Sequence, residues 1–142
     1  MKVNSLELLD SKFRTSCFTT EQMICVDTSL PPIVGYARTA TISASSEVDP
    51  NTKLDRSLAY YEYVSSGTAP YISVIQDVDE SPGFGAFWGE VNSNIHNALG
   101  VIGVVTNGSV RDLDVLAAGF QVLAGKLDQA TLMCELKKQV YV

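Results

Sequence analysis

The sequence predicts an α/β fold, and three observations carry that reading. Strand-like and helix-like stretches alternate along most of the chain. The run VIGVVT at 101–106 is almost wholly apolar, as expected of a strand covered on both faces of a sheet. Pro31-Pro32, Gly67 and Gly100 fall at the junctions between such stretches, where chain-breaking residues belong.

Taken in order, residues 4–13 read as a short helix with Leu6, Leu9 and Phe13 on one face. An irregular stretch follows from Thr15 to Pro32, and 33–44 reads as a strand. The segment NTKLDRSLAYYEYVSSG reads as a helix with Leu54, Leu58 and Tyr61 on one face and Gly67 as its stop. YISVIQDV is a second strand and DESPGFGAF a loop. A helix over 89–99 places Val91, Ile95, Ala98 and Leu99 along one stripe, and Gly100 ends it. After the strand VIGVVT, Asn107-Gly108 signals a turn. A helical turn follows Arg111-Asp112, then the strand FQVLAG, then a helical tail from about Lys126.

At 142 residues the chain is large enough to bury one core, and 46% hydrophobic with 18% charged residues is a globular composition. The net charge of −6 comes without a basic stripe, which argues against nucleic acid or anionic membranes as partners. Cys17, Cys25 and Cys134 are widely spaced and His96 is the single histidine, so a zinc site is poorly supported. The N-terminus lacks the apolar core of a secretory signal and no run is long enough to span a bilayer; a cytoplasmic location with reduced thiols is the simplest expectation.

The charged pair Arg111-Asp112 directly follows a greasy strand. A helix of about 11 residues rises roughly 16 Å, and a returning strand of about six covers roughly 20 Å. The pair should therefore lie near Gly89 and Glu90. A helix start offers unpaired N–H groups and attracts anions, and Gly89 leaves the backbone open to a ligand. Arg111 adds a planar fork suited to a carboxylate. Asp112 and Glu90 supply hard oxygens that, with waters, suit Mg²⁺ or Mn²⁺ better than Ca²⁺. The same two residues also fit a surface ion pair, or Asp112 a simple cap for LDVLAAG. His96 reads as a residue of the helix's polar face and Trp88 as packing. GFGAFWG is no dinucleotide loop, because 79–82 intervene after the strand and the third glycine comes late. With His96 the single histidine and read as a polar-face residue, no Ser-His-Asp arrangement can be argued.

The order of a Gly-Glu step opening a helix, then GVIGVVTNGSVRD ending a strand, resembles the RraA-like family. That family includes 4-hydroxy-4-methyl-2-oxoglutarate aldolases and regulators of ribonuclease activity A. Upstream, VGYARTATI resembles the family's early G-x-A-x-T strand, and the likeness is clearest from Ile33 to Leu127. It implies a swivelling β/β/α-type domain over 1–127, C-terminally shortened; DQATLMCELKKQVYV, 128–142, departs from the family pattern and reads as a divergent helical tail. It further implies a homotrimer with sites near subunit interfaces.

Carried over by position, the backbone of Gly89, Glu90, Val91 and Asn92 and the side chain of Arg111 would bind a pyruvate-like group. Asp112 would ligate Mg²⁺, Mn²⁺ or another divalent cation directly, and Glu90 through water. The implied activity is a metal-dependent carbon–carbon lyase that releases pyruvate from a 2-keto acid through a metal-stabilised enolate. The substrate would be a 4-hydroxy-4-methyl-2-oxoglutarate-type aldol, or oxaloacetate undergoing decarboxylation. The alternatives are a non-catalytic regulator that binds a ribonuclease or other protein partner, and an inactive truncated member.

Overall fold

The computed structural model describes residues 21–45, 48–128 and 139–141; the helix expected at 4–13 lies outside them. Eight regular elements follow in order: β1 (Ile24–Cys25), β2 (Tyr36–Ser43), α1 (Pro50–Ser65), β3 (Tyr71–Asp77), α2 (Glu90–Ala98), β4 (Val101–Val110), β5 (Gln121–Leu127) and β6 (Gln139–Tyr141). A single 3-10 turn, Leu113–Val115, joins β4 to β5. The strands form one mixed sheet in the order β1-β5-β4-β3-β2-β6. Its four inner strands are parallel, and the short edge strands β1 and β6 are antiparallel to their neighbours. This is the predicted α/β class.

Both helices are crossovers between adjacent parallel strands stepping in the same direction, so right-handed connections put them on one face of the sheet. A 2.8 Å bond between Tyr60 of α1 and His96 of α2 joins them there. Alternation along β3 follows from this: Tyr71, Ser73, Ile75 and Asp77 are buried, whereas Ile72 and Val74 on the other face are half-buried. Beneath the helices, Ile42, Ile75, Val104, Val122, Trp88 and Phe120 form the middle of the core.

Helix α1 starts where its sequence says it should. The Asp49 carboxylate accepts from the backbone N–H groups of Asn51 (3.1 Å) and Thr52 (3.0 Å), and Pro50 occupies the first turn. Ser66 caps its end and Gly67 follows with φ +90, the left-handed conformation expected of a glycine stop. Its buried stripe differs from the predicted one. Tyr60 and Val64 are buried, Tyr61 is half-buried, and Leu54 and Leu58 are 58% and 57% exposed. The aromatic residues win the inward face because Tyr60 finds a polar partner there.

In α2 the correction is larger. Of the expected apolar stripe Val91 and Ala98 are exposed and Ile95 and Leu99 only half-buried, and the buried residues of the helix are Ser93 and His96. His96 is therefore a core residue, not one of the polar face. Trp88 is packed in the core as predicted, stacked on Phe120 with ring centroids 5.7 Å apart.

Strand β4 runs four residues beyond the predicted VIGVVT. Asn107-Gly108, read from sequence as a turn, is an irregularity inside the strand, where the pairing with β5 shifts between Thr106 and Ser109. On the opposite side of β4 the Asn107 amide extends the pairing with β3. Its oxygen accepts from Asp77 N at 2.7 Å, and its nitrogen donates to Asp77 O at 2.9 Å. The helical tail expected from Lys126 is also corrected at its describable ends. Lys126 and Leu127 complete β5, and Gln139–Tyr141 is the edge strand β6.

Candidate functional site

The pair that sequence geometry placed beside the start of α2 is found there. Trp88 bridges to Val110 in parallel fashion, and Arg111 N donates to Trp88 O at 2.9 Å. The end of β4 is thereby laced to the residue before Gly89. Gly89 is buried and extended, with φ −179 and ψ −163, so backbone conformation does not demand a glycine. Space does. A Cβ there would stand 2.5 Å from Asp112 Oδ2 and 3.1 Å from Arg111 Cγ. The carboxylate of Asp112 is pressed against the backbone that opens α2.

Asp112 adopts φ 55 and ψ 46, and it is the one non-glycine residue with positive φ among the described residues. Left-handed backbone costs most side-chain-bearing residues about 1–2 kcal/mol, and aspartate less, because its short polar side chain tolerates it. It persists where the surroundings over-determine it, and such residues cluster at functional sites. The Asp112 side chain makes no capping bond to the 3-10 turn that it precedes, so capping is not its role. Its carboxylate lies 3.6 Å from Arg111 Nε, and the two side chains are 29% and 33% exposed. Arg111 Nε has no hydrogen-bond partner although it is buried. This half-buried pair is screened less than a surface one.

Helix α2 begins without a side-chain cap. The start of the helix lies against the 111–112 segment, and the unpaired N–H groups and dipole of a helix start favour an anion nearby. Glu90 and Val91 point outward, and the Asn92 side chain turns back to donate to Phe87 O at 2.5 Å. Of the expected site residues, Gly89, Arg111 and Asp112 are thus in mutual contact. The side chains of Glu90 and Val91 are exposed, and that of Asn92 is committed to Phe87 O.

Behind the site lies a polar layer that apolar periodicity concealed. His96 Nδ1 lies 2.6 Å from Asn92 O, a carbonyl that only accepts, so Nδ1 carries the proton and Nε2 accepts from Tyr60 Oη. Burial pushes His96 down to about 4, from 6.5, and pushes the Tyr60 phenol above its ordinary range. His96 is neutral packing for α2, 4.5 Å from the Trp88 ring centroid. Ser93 is wholly buried and bonds both to its own helix and to Ala117. The signal for both was the three-residue spacing of bonding side chains, Ser93 and His96, on one helix face.

A separate cavity of about 490 Å³ opens at the C-terminal ends of β3 to β5, lined in part by Met23, Asp77, Asp79, Asn107 and Lys126. Two of its acids, Asp77 and Asp79, are engaged within the fold. Asp77 accepts from Gly83 N at 2.7 Å, and Asp79 accepts from Ala44 N at 2.8 Å and Ser45 Oγ at 2.6 Å.

Among the described residues no group of three or more His, Cys, Asp or Glu side chains is placed to hold a metal ion, and no helix is long and apolar enough to cross a membrane.

Comparison with known proteins places this arrangement. The profile of the RraA-like family, described as Aldolase/RraA, matches residues 7–136. No curated protein matches the chain. Among solved structures, one described as novel cellulases from microbes associated with the gut ecosystem has a TM-score of 0.58 at 14% identity, over 76% of this chain and 45% of that one. An uncharacterized protein from Pseudomonas syringae pv. tomato has a TM-score of 0.51 at 16% identity, over 76% of this chain and 44% of that one. An unusual member of the RNase ES inhibitor RraA protein family, from Streptomyces coelicolor, has a TM-score of 0.50 at 21% identity, over 74% of this chain and 48% of that one. At such identities the likeness is one of fold, and this chain spans less than half the length of each. By the extent of the family match, the chain belongs to the RraA-like family.

Proposed function

We propose that the chain binds a small 2-keto acid, or a carboxylate of that shape, between the start of α2 and the 111–112 segment. The observation that supports this reading is the strained Asp112 held against Gly89, where an added Cβ would lie 2.5 Å from its carboxylate. The amides of Glu90, Val91 and Asn92 would receive the substrate carboxylate, with Arg111 as its charged partner. Binding there would break the Arg111–Asp112 contact and free Asp112 for a second role.

For lyase chemistry that role is holding Mg²⁺, Mn²⁺ or another divalent cation. Mg²⁺ keeps several waters and needs only one or two carboxylates, so Asp112 directly and Glu90 through water are a minimal fit. Bound there, the ion would polarise the 2-keto oxygen of an aldol or of oxaloacetate. Arg111 and the helix amides would hold the carboxylate, and the packing behind Gly89 would keep its position fixed.

A second reading is non-catalytic, namely a regulator that binds a ribonuclease or other protein partner through its acidic surface. One observation favours it over turnover. The donors that the described residues bring together are one fixed carboxylate and an exposed Glu90, fewer than a self-sufficient metal centre uses. The carboxylate site itself is common to both readings. A single RraA-like unit over 1–127, assembled as a trimer in the cytoplasm, fits either.

Pyruvate release from oxaloacetate, measured with Mg²⁺ and with EDTA, separates the two. Asp112→Ala and metal alone run as controls, because free metal decarboxylates this substrate. The lyase reading expects turnover above the metal control that Asp112→Ala abolishes. Turnover equal to the control, with pyruvate still bound, assigns the chain to the non-catalytic reading. Failure of the wild-type protein to bind pyruvate overturns the carboxylate site altogether.

A further inference from the structure

Ser93 makes two bonds from one hydroxyl in the first turns of α2. Its Oγ donates to Glu90 O at 2.9 Å and accepts from Ala117 N at 2.9 Å, and the residue is 0% exposed. The first bond is ordinary back-bonding of a helical serine. The second is not, because Ala117 lies beyond the 3-10 turn that follows Asp112.

The segment 111–117 is therefore held at both ends, by the residue that precedes the cap of α2 and by α2 itself. At its start Arg111 N donates to Trp88 O, and at its finish Ala117 N donates to Ser93 Oγ. Between the two attachments, Val115 N donates to Asp112 O at 3.1 Å and closes the turn. Asp112 holds its left-handed backbone inside this span. A residue so strained relaxes when one attachment is lost. Relaxation would carry its carboxylate away from Gly89.

We propose that Ser93 is a positioning residue: by tying Ala117 to the first turn of α2, it sets where Asp112 and Arg111 stand relative to the helix amides. The inference rests on the carboxylate-site reading for its functional consequence, but its structural content is independent of any ligand. The bond to Ala117 joins residues 24 positions apart, which no local pattern in the sequence reveals.

The test uses the full chain with three substitutions: Ser93→Ala, Ser93→Thr and Ser57→Ala. Ser57 makes a comparable back-bond to Lys53 O at 2.9 Å, but in α1 and away from the site. Two quantities are measured under conditions where each variant is folded, hydrogen exchange at the Arg111 and Val115 amides and the affinity for pyruvate. Ser93→Ala should speed exchange at both amides at least ~10-fold relative to β5 amides, and should weaken pyruvate by a similar factor.

Ser93→Thr keeps the hydroxyl and should restore protection and affinity, even though its extra buried methyl lowers global stability. That crossing, a less stable variant with the better site, is not expected of a merely structural role. Ser57→Ala should leave both readouts unchanged. Wild-type exchange at Arg111 and Val115 in folded Ser93→Ala overturns the proposal, as does a Ser93→Thr variant that folds yet exchanges like Ser93→Ala. If Ser93→Ala does not fold, the threonine variant alone decides by the same exchange. Altered exchange in a protein that never binds pyruvate would retain the positioning role and reject the carboxylate reading; pyruvate bound equally by wild type and Ser93→Ala would do the reverse.

Discussion

An alanine at position 89 would set a methyl group 2.5 Å from Asp112 Oδ2 and 3.1 Å from Arg111 Cγ. A relaxed carbon–oxygen contact needs about 3.3 Å, so the carboxylate must retreat by roughly 0.8 Å. The extended backbone of Gly89 accepts alanine without strain, which confines the damage to this contact. Retreat is resisted because the 111–117 segment is bonded at both ends, to Trp88 just before α2 and to Ser93 within it. Overpacking of this kind costs about 1–3 kcal/mol of stability, and misplacing a binding group by about 1 Å costs up to ~100-fold in function.

Gly89→Ala should therefore unfold at lower urea and bind pyruvate at least ~10-fold more weakly by titration calorimetry. Gly119→Ala is the matched comparison. Nothing lies within 4 Å of its Cβ position, but φ there is +75. It should lose about 1–2 kcal/mol through backbone strain alone, with pyruvate affinity intact. A Gly89→Ala protein that binds like wild type would refute the claim that Asp112 is seated against the helix start.

Further outcomes test the surroundings. His96 is neutral when folded because burial holds its pKa near about 4, whereas the unfolded chain protonates at 6.5. The unfolded state thus binds more protons between these values. Stability should be full above 6.5 and should fall by about 3 kcal/mol as pH drops from there to about 4. Urea melts of His96→Phe should lack that slope. Tyr60→Phe leaves His96 Nε2 buried without its donor, 2.8 Å away in the native protein, and should cost about 1–3 kcal/mol in the same assay. Asp112→Gly should raise stability by about 1 kcal/mol, since glycine tolerates the left-handed backbone, while abolishing any metal-dependent turnover. Unchanged or lower stability in that variant would mean that Asp112 stores no strain.

Much of this arrangement was legible in the chain. Alternating stretches and the apolar VIGVVT indicated the α/β class and a strand covered on both faces, and the lengths of α2 and β4 alone brought Arg111 and Asp112 back to Gly89. These features are local: periodicity, a glycine stop, a rise per residue. What stayed hidden depends on partners distant in sequence. Apolar spacing in α2 pointed to Val91 and Ala98, yet the helix buries Ser93 and His96, whose polar groups are satisfied by Ala117 and Tyr60. Asn107-Gly108 looked like a turn because both residues favour one. The Asn107 amide instead completes the ladder to Asp77, which no local rule anticipates. The left-handed backbone of Asp112 was equally silent, since aspartate is common in ordinary conformations.

The strand order has a kinetic consequence. Each inner strand from β2 to β5 lies beside its successor in sequence, so the centre of the sheet can grow stepwise through local crossovers. The two edges are different. Ile24 pairs with Ala124, and Ile42 with Val140, which joins residues roughly a hundred positions apart. Loop closure of that length is entropically slow to be rewarded, and β1 and β6 contribute only two and three residues of pairing in return. The edges should then zip last in refolding and fray first in unfolding, leaving the β2–β5 sheet, with the 89–112 contact across it, as the nucleus on which the molecule forms.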